Sequence, residues 1–191
     1  MQFKNLALAA SIVATAAAAP AADSTSAPAA TPSSTPATDA PHFFGVIAIH
    51  SGSGVQNAGF SAAKGSLIAG LQNKSNSCQE TSFYINDGVL NIYDDTARPQ
   101  EIYVDRSGMG QGKIGYTVGV EPAPKNAERK GWAIKDGHLE FDGSSLIACP
   151  GADGYSIWAS SGVANPGGNK DCIGIAAHVV GTKEPKPCWA N

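Results

Sequence analysis

All 22 glycines of this 191-residue chain lie beyond residue 41, and no other feature narrows its folding choices as much. From His42 to Asn191 there are 150 residues, so glycine makes up about 15 % of that stretch, against roughly 7 % in ordinary proteins. Glycine destabilises helix interiors and supplies the positive-φ corners of tight turns. A helical bundle or a doubly wound nucleotide-binding fold is therefore not expected. Short strands joined by turns are.

The apolar pattern agrees. From His42 onward it has period two, broken by turn residues every 8–15 positions, as in half-buried strands. Phe43–Ile49 reads as a buried strand. Ser82–Ile85 and Val89–Tyr93 flank Asn86-Asp87-Gly88, and Trp132–Ile134 and Leu139–Phe141 flank Lys135-Asp136-Gly137; both are hairpin signals. Further strands are read around Ile102 and Val104, Ile114–Val118, Leu146–Cys149, Tyr155–Ser160 and Cys172–Val180, with strand rather than helix over Ala62–Leu71. The expectation is an all-β domain, a disulfide-braced sandwich or barrel of about nine to ten short antiparallel strands.

Residues 1–41 differ in kind. Lys4 precedes the apolar run Leu6–Val13, and small residues follow through Ala19. This is the layout of a secretory signal peptide, expected to occupy residues 1–18. The run is too short for a membrane span. Residues 19–41 contain only Ala, Pro, Ser, Thr and Asp. Without large apolar side chains they cannot offset their ordering entropy by burial. They read as a disordered, O-glycosylated stalk, with the β domain over 42–191. No apolar run closes the C-terminus, so no membrane or glycolipid anchor is expected.

Four cysteines in a secreted chain imply two disulfides, with three possible connectivities. Successive cysteines are separated by 70, 22 and 15 residues, far from the close pairs of a zinc site. Strand order brings Cys149 and Cys172 to one end of the sheet. Cys78 is then left to pair with Cys188.

Candidate chemistry is sparse. A net charge of −3 gives no reason to expect a nucleic-acid partner. His42, His50, His138 and His178 have no metal-binding spacing, so neither metal nor cofactor is expected. There is no nucleophile-elbow motif. Asp87 and Asp136 are turn residues, and of the other acids only Asp105, beside Arg106, invites attention as a buried pair. No residue is assigned a catalytic role. The glycines of Gly108–Gly112 lie between strands, where a turn needing positive φ explains them better than a phosphate loop. On that reading Gly110→Val costs about 1–3 kcal/mol. Asn73-Lys74-Ser75 is an N-glycosylation sequon. Trp132 is expected in the core. Trp158 points away from the Tyr155/Ile157 face and is the candidate for contact with a glycan.

The run Gln100-Glu101-Ile102-Tyr103-Val104-Asp105-Arg106-Ser107-Gly108-Met109-Gly110-Gln111-Gly112 resembles the signature of the fungal phialide-associated cell-wall protein (PhiA) family, also called IgE-binding proteins. The likeness continues through Gly115-Tyr116-Thr117, Pro122–Asn126, Gly131-Trp132, Phe141-Asp142-Gly143, Ala148-Cys149-Pro150, Asn165-Pro166-Gly167-Gly168-Asn169, Cys172-Ile173-Gly174 and Pro187-Cys188. It implies a secreted, non-enzymatic cell-wall protein linked to asexual spore-forming structures and wall stress tolerance. A fainter similarity runs to the C-terminal four-cysteine domain of Pir-type wall proteins. It rests on Cys78, Asp87–Leu90, Gly112–Gly115, Gly131-Trp132 and the Cys149/Cys172 pair. The glutamine-containing repeats by which those proteins join glucan are absent here. The expected partners are wall polysaccharides or glycoproteins. The alternatives are a polysaccharide-binding module or a secreted host-interaction protein, and last a glycan-active enzyme.

Overall fold

The computed structural model describes residues 40–72, 78–96 and 98–190, all within one compact unit, Thr38–Asn191. The expected signal peptide, all but the last two residues of the stalk, and the Asn73 sequon lie outside the described residues.

Twelve strands are present: β1 (Phe43–Ile49), β2 (Ala58–Ala63), β3 (Ser66–Ala69), β4 (Phe83–Asn86), β5 (Val89–Ile92), β6 (Gln100–Asp105), β7 (Lys113–Val118), β8 (Trp132–Lys135), β9 (His138–Phe141), β10 (Leu146–Gly151), β11 (Gly154–Ala159) and β12 (Ile173–Thr182). Among the described residues the only helical element is a 3-10 turn at Pro166–Gly168. The all-β class stands, with more strands than the nine to ten expected. The excess lies mainly around residues 58–69, where a tight turn splits what reads as one strand into the β2–β3 hairpin. That turn is Lys64-Gly65, with φ of 53° and 68°. A lysine in the left-handed region is uncommon, so nothing local announced it.

The two hairpins marked by Asp-Gly form with two-residue loops. Asn86 faces Val89 across Asp87-Gly88, and Lys135 faces His138 across Asp136-Gly137. Both loop residues have positive φ in each case, the turn whose twist matches that of its strands.

All twelve strands belong to one antiparallel sheet that closes on itself. The pairings β1–β2, β2–β3, β3–β11, β11–β10, β10–β12 and β12–β1 run around a six-stranded ring. β1 offers Ile47 and Ala48 to β2 but Phe44 to β4. In the same way β11 gives Tyr155 and Ser156 to β3, and Trp158 to β7. Strands β4–β7 therefore make a second path between β1 and β11. The β8–β9 hairpin extends from β12.

The inner face carries the core. Phe44, Phe60, Phe83, Leu90, Ile102, Ile114, Phe141, Leu146 and Ile157 are fully buried, each stabilising the fold by about 1.5–3 kcal/mol. On β1 the alternation is regular: Phe44, Val46 and Ala48 point in, and Phe43, Gly45 and Ile47 lie on the outer face.

Candidate functional site

The structure joins Cys78 to Cys188 and Cys149 to Cys172. The second bridge follows from strand order, because Ala148 on β10 faces Ile173 on β12 and the two cysteines are the next pair along. The first holds the end of the chain, and a buried glutamine helps it. Gln100, with no exposed surface, donates from Nε2 to the Cys188 carbonyl (2.7 Å), and its Oε1 accepts the Ala190 N–H (2.8 Å). Its amide replaces a missing neighbour strand for the last residues.

The glycine-rich segment after β6 is a backbone-packing device. Asp105 Oδ1 accepts the Ser107 N–H (2.9 Å), and Ser107 Oγ accepts the Gly110 N–H (3.1 Å). A side chain on Gly110 would place its Cβ 2.2 Å from the Asp105 carboxyl carbon. The need for glycine there is thus close approach and not positive φ, which in this segment falls on Gln111 and Gly112. Gly112 presses its Cα against the Ala159 carbonyl. Gln111 Oε1 accepts the Gly167 N–H (2.8 Å). Gly167 in turn sits on the six-membered ring of Trp158, where a Cβ would come within 2.4 Å. Trp158 is half-buried under this loop, and its indole N–H donates to Ser156 Oγ (3.0 Å). Trp132 is buried against Phe141 (5.0 Å between ring centres), and Arg98 lies over Trp189 at 5.4 Å.

Asp105 and Arg106 do not form the buried pair that their adjacency suggested. Consecutive strand residues point to opposite faces, and Asp105 is engaged by the turn. Arg106 instead binds Glu128 and, at 2.8 Å, Asp142. The guanidinium hydrogen bond holds the Glu128 carboxyl below the usual glutamate value of 4.5. A carboxyl lowered on folding stabilises the fold above its unfolded pKa and loses that contribution as pH falls through the folded one. Both partners are about one-third exposed, so solvent screening limits Glu128→Gln to about 0.5–1 kcal/mol at pH 7. Chemical denaturation at pH 7 and pH 3 checks this: the variant's deficit shrinks at the lower pH. Other acids are paired too, Asp87 with Lys130, Asp153 with Lys64, and Glu101 with Arg129. His138 and His178 face each other across β9 and β12 with ring centres 5.5 Å apart. Among the described residues no group of three or more His, Cys, Asp or Glu is placed to hold a metal.

A different surface has the shape of a binding site. On the outer face, Phe43 of β1 lies against Tyr84 of β4 (5.9 Å) and Tyr93 just beyond β5 (5.0 Å), with His42 at 4.3 Å. These rings, with Asn86 and Asp94, line a cleft of about 390 Å³. Burial, and secondarily Glu101, pushes the Tyr84 phenol above its ordinary value. A hydrogen bond from Thr96 keeps the Asp94 carboxyl ionised to lower pH than usual. A second cleft of about 370 Å³ adjoins along β1, lined by Gly45, Ile47, Gly59, Ser82, Val180 and Thr182 among others.

The family model described as "PhiA-like secreted protein" matches residues 44–189. The chain belongs to that family. It is 52 % identical to "Cell wall protein phiA" of Aspergillus fumigatus over 198 residues, covering 98 % of each chain. It is 54 % identical to the protein of the same name from Aspergillus niger, over 98 % of this chain and 97 % of the relative. The Emericella nidulans protein of that name is 56 % identical over 161 residues. No solved structure matches. The PhiA-like region takes in both disulfides, the Asp105–Gly112 segment and the outer-face clefts except His42 and Phe43, which lie just before it. Tyr84 and Tyr93 went unremarked in the sequence, because tyrosine in a strand pattern is read as a strand former. Their register against Phe43, one position off the buried Phe44–Phe83 pair, is the signal that could have found them.

Proposed function

We propose that this PhiA-like protein is a non-enzymatic structural component of the fungal cell wall, a disulfide-braced β domain carried on a glycosylated stalk. The observation that carries the reading is where the glycine-rich family segments go. Gly110 packs on Asp105, Gly112 on Ala159 and Gly167 on Trp158, so these segments hold the scaffold together. The relatives named as cell wall proteins match almost end to end, which supports the location.

The finer parts of the proposal are a role in asexual spore-forming structures and in wall stress protection, by family resemblance, and sugar on Asn73 and on Ser24–Thr38. Separating cell wall from culture medium, with and without a reducing agent, tests the location, and intact mass of the recovered protein tests the glycans. Recovery in the wall fraction is expected. Protein found wholly in the medium under both conditions sinks the wall assignment.

A further inference from the structure

The outer face of β1 and β2 carries two glycines that packing does not explain. Gly45 on β1 and Gly59 on β2 are diagonal neighbours, since Gly59 pairs with Ile47, two residues from Gly45. Neither has positive φ, and a Cβ on either would meet nothing within 4 Å. Glycine weakens a strand interior, and it recurs there at bulges, at tight bends of a closed sheet and where a ligand or another backbone approaches closely. Here the space above both residues is open, and it is the second cleft. At one end of this trough stands the aromatic group Phe43, Tyr84 and Tyr93.

We propose that the trough over Gly45 and Gly59, with the Phe43/Tyr84/Tyr93 platform at its end, binds a chain of neutral β-linked wall polysaccharide. The chemistry fits in three respects. A β-linked pyranose presents an apolar C–H face that stacks on an aromatic ring, and tyrosine combines such a ring with a polar tip. Asn86, the ionised Asp94 and the protonated Tyr84 hydroxyl stand beside the rings for sugar hydroxyls, the pattern of an apolar site with a few placed polar groups. The negative charge of Asp94 disfavours a polyanion. Two adjoining clefts of about 390 and 370 Å³ also suit a polymer better than a single sugar. A peptide adding as a strand does not fit, because β1 is already paired along its length with β12 and has β2 and β4 on its other side.

The inference deepens the wall reading by naming the polymer class and the residues that grip it. Its test uses the purified secreted full-length chain, pelleted with insoluble β-1,3-glucan and, separately, with chitin. Binding to either supports the proposal and tells which sugar the trough takes. Gly45→Leu extends a side chain into the trough from a position where a Cβ meets nothing within 4 Å, so it should weaken binding about tenfold or more while thermal unfolding stays unchanged or rises. Tyr84→Ala with Tyr93→Ala should lose binding similarly, and the matching Phe variants should keep most of it. Trp158→Ala, at the other aromatic candidate, should bind normally. Failure of the wild type to pellet with either polymer overturns the proposal. So does wild-type binding by a folded Gly45→Leu protein, or a dimer in size exclusion that Gly45→Leu dissociates. Protein recovered from the wall fraction yet pelleted by neither polymer overturns this inference and leaves the wall assignment intact.

Discussion

Replacing Cys78 and Cys188 together by alanine lowers the melting temperature by roughly 10–20 °C, the largest loss expected from removing either bridge. The two cysteines are 110 residues apart, and closing so long a loop removes about 4–5 kcal/mol of unfolded-state entropy in the chain-entropy model. The Cys149–Cys172 bridge spans 23 residues, worth about 3–4 kcal/mol on the same basis. Its neighbours Ala148 and Ile173 are already paired in the sheet, so its loss leaves the local structure supported. The last residues have no strand of their own, and the bridge and Gln100 hold them together with the Cys188 N–H bond to the Tyr93 carbonyl (3.0 Å) and the Lys186 N–H bond to Ser82 Oγ (3.0 Å). Thermal unfolding of both double variants by circular dichroism decides the order. An equal or smaller shift for the Cys78/Cys188 variant contradicts it. Because Gln100 and the bridge hold the same segment, Gln100→Leu should also cost less in the bridgeless protein than in the wild type.

Gly112→Ala should have the largest effect of any single glycine substitution, a loss above about 4 kcal/mol that keeps folded protein from being secreted. Two causes act together. Gly112 has φ of 93°, which side chains rarely adopt, and its Cβ would lie 2.0 Å from the Ala159 carbonyl oxygen. That carbonyl is backbone of β11 and cannot swing aside, and the Ala159 N–H is itself bound to the Gly112 carbonyl at 2.8 Å. Gly108, four residues earlier, meets nothing within 4 Å and has no positive φ. Gly108→Ala should therefore change stability by less than about 0.5 kcal/mol. Secreted yield and denaturant unfolding of the pair give the comparison. Similar behaviour of the two variants would mean that close packing does not govern this segment.

The strands were legible because their signals are local. Asp87-Gly88 and Asp136-Gly137 announce their hairpins by the backbone they require, and the alternation in Phe43–Ile49 states which face goes inward. What depended on distant residues was not legible. Gly110 is glycine because of Asp105, Gly112 because of Ala159, and Gly167 because of Trp158; only the folded chain brings those partners close. Arg106 sits beside an acid in sequence yet binds two others, 22 and 36 residues away. The candidate trough was half legible. A glycine inside the strand run Phe43–Ile49 is visible at once, but the emptiness above it is a property of the neighbouring strands. Asn73 and nearly all of the stalk lie outside the described residues, and their sugars remain part of the proposal.

The bridge between Cys78 and Cys188 also governs how the protein breaks. It turns residues 78–188 into a covalent ring, with residues 1–77, β1–β3 among them, and the last three residues outside it. A single cut by an extracellular protease within that ring opens it into a line but frees no fragment, and the sheet still holds both new ends in register. Release requires two cuts in the ring, and a stretch excised around Cys149 must also lose its tie to Cys172. Damage to such a molecule is therefore cumulative. A copy nicked within the ring keeps its fold and its place, and only a second nearby cut there removes a piece of it.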